Sequence, residues 1–425
     1  MKSELAQYLL PAVGALVLVT GCAGAIVQPA ATPIGTTAAR ATASASSSVG
    51  PGASMGSPLP QTPAAGDQAS LAGDTWADAG AFREGRSVTH LALLTATNEV
   101  MAVGADVACG LESDASDTTE LYDVAAGAWK PGPPMPTARH DPAVGPLGDG
   151  VLVTGGSNEA YVAKSSTLVY DPVSQAWSPS GLLNTARMNP GIAVMKNGRV
   201  LVAGGLLINF DNTGRALDTG EIWDPGSGAW KGTPRLGHPR LGPEAVMLED
   251  GRVLVVGGLP AWGADDQLRS AEVYDPKSGR WEPAGQLGKT PTWIALVATS
   301  DGALAIFAPT GGAALRAEWF DPHDMAWTVA GDPGMPVGDG RAVAVTLADD
   351  RVLVVGGDEA RIFQRGGNWT KARSLPDGPR NDASAVLLPD GSALLAGGWT
   401  IGIPPDETGG CQTPNPQAWR YVPGP

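Results

Sequence analysis

Arginines recur along this chain: Arg86, Arg139, Arg187, Arg240, Arg341 and Arg380 each stand shortly before an apolar run. A guanidinium is a planar fork of donors that grips a carboxylate with two parallel hydrogen bonds. Such a series reads in two ways. The arginines converge on one acidic ligand, or each is an internal tie to an acid or carbonyl of its own segment, as Arg240 would be with Glu272. The positions after the arginines break the pattern: His90, His140 and Asp141, Met188 and Asn189, Glu244, Asn381 and Asp382. Stations that differ there present different groups to one ligand. A mixed set of Arg, His, Asn and acids suits a polar molecule such as a sugar or a peptide, while isolated His and Asn also serve as satisfied surface groups. Glu244, His90 and His140 are in addition the residue types that shuttle protons.

Composition removes several chemistries. Lys and Arg total 28 against 43 Asp and Glu, a net charge of -15, which repels nucleic acid and an anionic membrane surface alike. With three Cys and four His there is no zinc motif and no haem-attachment motif. No phosphate loop or nucleophile motif occurs, and no cofactor is expected. Asp265-Asp266 and Asp211-Asn212 are acidic loop pairs without recognisable calcium-ligand spacing.

The elements that position these residues repeat every roughly 50 residues. Each cassette carries an Arg, a tight-turn dipeptide, an apolar run ending Gly-Gly, an aromatic-Asp-Pro step and a Trp. The clearest copy is Arg240, Asp250-Gly251, Val253 to Val256, Gly257-Gly258, Tyr274-Asp275-Pro276 and Trp281. Asp-Gly and Asn-Gly tolerate positive φ and mark hairpins, and with 37 Pro and 58 Gly the chain reads as all-β. Seven copies follow one another, although Pro291 stands in the Arg position of the fifth. The third-strand aromatics are Tyr122, Tyr170, Trp223, Tyr274, Phe320, Phe363 and Tyr421. The fourth-strand tryptophans are Trp129, Trp177, Trp230, Trp281, Trp327 and Trp369, and a seventh is missing after Tyr421. The segment around Trp76 matches that around Trp281, so the N-terminal strand supplies the outer strand of the last unit and leaves no open seam.

These cassettes resemble the kelch repeats of galactose-oxidase-like bacterial proteins. The resemblance implies a seven-bladed β-propeller over residues 75–425, a fold that supports a monomer. It also implies that the arginines surround the channel mouth, as in kelch propellers that bind acidic peptides or acidic sugars there. Long loops at residues 105–119, 206–219, 259–270 and 399–416 share that face, with Trp262 and Trp399 as sugar platforms or loop anchors. The opposite, hairpin face is expected to be passive. A copper-radical oxidase requires a Tyr directly before a His, which this chain lacks. The enzyme alternative is a sugar mutarotase or epimerase using Glu244, His90 and His140. The leading reading is a non-catalytic propeller that binds an anionic exported protein, peptide or glycan.

The N-terminus reads as an address. Residues 1–21 read as a signal segment running into Cys22, and Val19-Thr20-Gly21-Cys22 resembles the lipobox of bacterial lipoproteins, with Cys22 the lipidated residue; a plain secretory signal or an uncleaved anchor is the alternative. Residues 22–74, nearly all Ala, Ser, Thr, Pro and Gly, read as a flexible tether with an r.m.s. reach of ~35–45 Å. The expected location is the outer face of the bacterial cell membrane, with the lipid as the sole membrane contact. Closure of the ring brings the loops of Cys109 and Cys411 side by side, and an oxidising compartment favours a disulfide between them.

Overall fold

The computed structural model describes residues 73–83, 90–104, 115–209, 211, 213–338, 340–401 and 412–424. The signal and tether segments, Cys22, Arg86 and the Cys109–Cys411 pairing therefore lie outside the described residues. Seven four-stranded antiparallel sheets form a β-propeller. Blades 1 to 7 begin with the inner strands His90–Leu94, Ala143–Pro146, Gly191–Val194, Glu244–Met247, Pro291–Thr299, Val343–Thr346 and Ser384–Leu387. Each inner strand touches both neighbours, so the seven make an uninterrupted ring. The second strands are buried and predominantly apolar, such as Val253–Val256, because they are covered on both faces by adjacent blades.

The ring is closed as the repeat count requires. Thr75–Ala81 pairs antiparallel with Gln417–Val422 and becomes the outer strand of blade 7, with Trp76 opposite Tyr421. Asp74 lies fully buried just before this strand and accepts the Gly424 N–H at 2.7 Å, tying the two chain ends together.

Blades adhere through two devices. Apolar side chains interleave between adjacent sheets, as Leu254, Val256 and Val273 of blade 4 do with Ile294, Phe307 and Phe320 of blade 5. The outer-strand tryptophans then stitch each blade to the one before. The indole N–H of Trp177 donates to Pro133 O, Trp230 to Thr167 Oγ1, Trp281 to Thr233 Oγ1, Trp327 to Ala284 O, Trp369 to Ala330 O and Trp76 to Arg373 O, at 2.7–3.2 Å. Trp129 makes no such bond among the described residues; its ring instead rests against Phe82, centroids 4.4 Å apart. Four residues after several of these tryptophans stands a glycine pressed against the next blade. A Cβ on Gly181 would lie 2.2 Å from Gly228 O, and one on Gly331 2.4 Å from Gly367 O. The Trp and the Gly thus recur as a matched pair, one large and one small, across every such seam.

Candidate functional site

Four of the repeated arginines are internal ties, which corrects the expectation that they ring the mouth; Arg341 does stand there, and Arg86 lies outside the described residues. Arg139, Arg187, Arg240 and Arg380 are buried, at no more than 2% exposure. Arg187 donates to Gly204 O and Thr219 O, both at 2.8 Å, and Arg240 to Gly257 O at 2.7 Å and Ser270 O at 2.9 Å. Arg139 does the same with Gly155 O and Ser166 O, and Arg380 reaches Gln417 O and the Asp377 carboxylate. In blades 2, 3 and 4 the fork thus bridges the end of strand two and the start of strand three, adding a second donor to the Ser166, Thr219 and Ser270 carbonyls, which already accept the Gly155, Gly204 and Gly257 N–H groups. Burial lowers the pKa of all four, and Arg139, which has no acid partner, falls to about 10.

Among the described residues, a third-strand glutamate completes the tie in blades 3 and 4. Glu221 pairs with Arg187 at 2.7 Å and Glu272 with Arg240 at 2.9 Å, while each also accepts N–H groups of the incoming link, such as Gly237 N–H at 2.6 Å. In blade 5 the Arg position is Pro291, and strand pairing places buried Phe307 in the register of Gly257. Glu318, in the register of Glu272, remains 5% exposed and holds only the Gly288 N–H among the described residues. Burial raises its pKa; the same N–H and the charges of Arg269 and Arg316 act in the opposite sense.

The mouth itself is lined by the residues that break the repeat. His90, Asp141, Asn189, Glu244, Arg341 and Asp382, one from each of six blades, surround a pocket of about 390 Å³, and blade 5 contributes Ala295 and Leu296. Their common position explains their types. Asp141, Asn189 and Asp382 stand two residues before the inner strand with φ of 42°, 47° and 53°, a left-handed conformation that Asp and Asn tolerate best after Gly. Gly242 occupies the same station in blade 4 with φ 62°. Backbone bonds link these stations around the rim: Asn189 N–H to Asp141 O at 2.9 Å, Gly242 N–H to Asn189 O at 3.1 Å and Asp382 N–H to Arg341 O at 3.2 Å.

Arg341 owes its place to a two-residue offset. It stands two residues before Val343, as Asp382 stands before Ser384, so it occupies the mouth station and not that of the buried arginines. From blade 6 its Nη2 reaches across blade 5 to the Glu244 carboxylate and to Ile294 O at 2.6 Å. The Asp382 carboxylate accepts the Trp399 indole N–H at 2.6 Å and the Arg341 backbone N–H at 3.2 Å; burial raises its pKa, with Arg341 and these bonds opposing. Burial, reinforced by the Arg341 charge, lowers the His90 imidazole to about 4, so it is neutral at physiological pH.

The remaining expected residues do not meet the pocket. His140 is 4% exposed, stacked on Tyr161 at 5.0 Å, and Asn381 pairs backbone to backbone with Trp399. The proton-shuttling set is therefore reduced to His90 and Glu244. Trp399 is buried, and Trp262 lies so close over Gly214 that a Cβ there would sit 1.9 Å from its ring, so both anchor loops. Among the described residues no group of His, Cys, Asp and Glu could hold a metal ion, and Asp211 is engaged by Thr213. Sequence reading passed over Ser384, whose hydroxyl accepts the Leu91 N–H at 3.3 Å on the pocket wall.

No family model matches the chain. Over 62 residues it is 39% identical to an F-box/kelch-repeat protein of Arabidopsis thaliana, a match covering 15% of this chain and 18% of that protein. Together with the seven blades, this likeness marks a kelch-type β-propeller, a fold suited to binding.

Proposed function

We propose that this protein is a non-catalytic binding propeller whose channel mouth takes a polar ligand, a glycan end or a peptide side chain. The observation that carries this reading is the convergence of six polar residues of five types on one pocket, while the arginines that repeat at the buried station are spent inside the blades. The pocket's volume lies at the low end for small-ligand sites, about 300–1,000 Å³, which favours one or two sugar rings or a single side chain. Among the described residues lining the pocket, Asp141, Glu244 and Asp382 stand with one guanidinium, which Glu244 already engages, as the Trp399 indole engages Asp382. The balance favours a ligand rich in hydroxyl or amine donors over the polyanion that a ring of free arginines would have taken.

The physiological setting we propose is the outer face of a bacterial membrane, through a lipidated Cys22, with the ring closure secured by a Cys109–Cys411 disulfide. Mass spectrometry of the mature N-terminus and non-reducing peptide mapping test these two features.

Calorimetric titration with neutral disaccharides, amino-sugar oligomers and short peptides tests the mouth. Saturable binding by the native chain that is lost in Asn189→Ala and Asp141→Asn supports the proposal. Binding unaffected by both changes overturns it. Acceleration of anomer exchange in a reducing sugar, lost in His90→Gln, would replace it with the mutarotase reading.

A further inference from the structure

A second cavity lies on the hairpin face, where sequence predicts nothing but passive turns. It is a groove of about 710 Å³ in the seam between blades 3 and 4. Ile222, Trp230 and Tyr274 form its floor, and Arg199, Lys231 and Lys277 stand on its exposed rim.

The equivalent place in the seam between blades 1 and 2 shows what is unusual here. Blade 1 carries Glu99 just before Val100, which pairs with Tyr122, and Lys130 opposite Leu121; the two side chains form an ion pair at 2.5 Å. Blade 3 carries Arg199 just before Val200, which pairs with Trp223, and Lys231 opposite Ile222. The register is the same, and a carboxylate has become a guanidinium. The next blade keeps the same register: Tyr170 stands opposite Trp177 and Tyr274 opposite Trp281. Lys277 then stands where blade 2 has Val173, in the same Asp-Pro turn.

Where blade 1 has a neutral ion pair, this seam therefore presents three cations. Arg199 is met by Asp224 at 3.0 Å, and Lys231 and Lys277 make no ion pair among the described residues. Asp250 and Asp275 lie near Lys277 but have closer partners, Arg252 for the first and the Lys277 and Ser278 N–H groups for the second. With Arg199 shared with Asp224, the ammonium groups of Lys231 and Lys277 are the cations this groove leaves open to an anion, in a chain whose net charge is -15. Ser227, Ser278 and Thr233 add hydroxyls beside the aromatic floor. Cations, hydroxyls and aromatic edges along one cleft are the chemistry that recognises a sugar bearing carboxylates.

We propose that this groove is a second binding site, for an acidic oligosaccharide, independent of the channel mouth. The test is calorimetric titration of the folded protein with tetragalacturonate, with maltotetraose as the neutral control. Arg199→Glu recreates the blade 1 ion pair with Lys231, so it should keep the melting temperature and weaken tetragalacturonate binding at least about tenfold. Lys231→Ala with Lys277→Ala should weaken it similarly and keeps the test decisive if the first variant fails to fold. Arg341→Gln at the mouth should leave it unchanged. Absence of saturable binding, equal binding of maltotetraose, indifference to both groove variants, or loss only in Arg341→Gln each overturns the proposal.

Discussion

Trp76 and Tyr421, one at the beginning of the ring and the other at its end, stand opposite each other in adjacent strands with ring centroids 5.1 Å apart. The same aromatic pair recurs within blades 1, 2, 4, 5 and 6 at 5.1–5.2 Å, from Tyr122 with Trp129 to Phe363 with Trp369. Blade 7 is thus an ordinary blade assembled from two distant pieces of chain. Replacing Trp76 by Ala removes a packed indole and its bond to Arg373 O. It should cost about 3 kcal/mol, as for other large aromatic truncations, and leave the unfolding cooperative. Denaturant unfolding monitored by circular dichroism checks this; a midpoint equal to that of the native chain would show that the seam does not depend on the indole.

Arg240 and Arg341 should respond in opposite ways to removal. Arg240→Ala leaves the Glu272 carboxylate buried without its counter-charge, with only the Gly237 N–H among the described residues, and takes a donor from Gly257 O, so it should destabilise by roughly 3–5 kcal/mol. Arg341→Ala removes a half-exposed side chain, so it should cost under about 1 kcal/mol and act on ligand binding at the mouth. Paired thermal melts of the two variants separate the outcomes.

That contrast shows how much was legible in the sequence. The blade count, the Trp positions and the closing strand follow from the spacing of residues that must recur in every blade. The direction of the arginines does not, because a recurring residue marks a shared structural duty as readily as a shared ligand. Arg341 was grouped with Arg240 because both precede an inner strand. Only pairing register reveals that one stands two positions nearer the channel. The mouth residues were legible for the converse reason: His90, Asn189 and Asp382 differ from one another, and an internal tie has no use for variety.

Glu318 supplies a stability test with a definite sign. Its folded pKa is raised above the unfolded value, so its contribution is fully present below the unfolded pKa of about 4.3 and is lost as pH rises through the folded value. Glu318→Gln keeps an acceptor for the Gly288 N–H without the buried charge. It should melt higher than the native chain at pH 7 and equal to it near pH 3.5. A lower melting temperature at pH 7 would mean that Arg269 and Arg316 outweigh burial.

His90 supplies a second. A base whose pKa falls from 6.5 unfolded to about 4 folded leaves stability highest above 6.5, and stability declines as the pH drops through that window. Nitrogen chemical shifts of the imidazole should show no protonation above about pH 5. Arg341→Gln should raise the midpoint part of the way, since the Arg341 charge is the lesser of the two causes.

The antiparallel order of blade 7 also fixes how the ring bears tension. Inner strands begin at the mouth, so the outer strand Thr75–Ala81 begins at the opposite end of the sheet. A pull through the chain before Thr75, resisted by a ligand held at the mouth, runs along the strand axis. The hydrogen bonds to Gln417–Val422 are then loaded together in shear and cannot be peeled apart one at a time. Attachment at this end makes the closing strand a mechanical clasp, and attachment through the last residues of the chain would load the third strand of the same sheet instead.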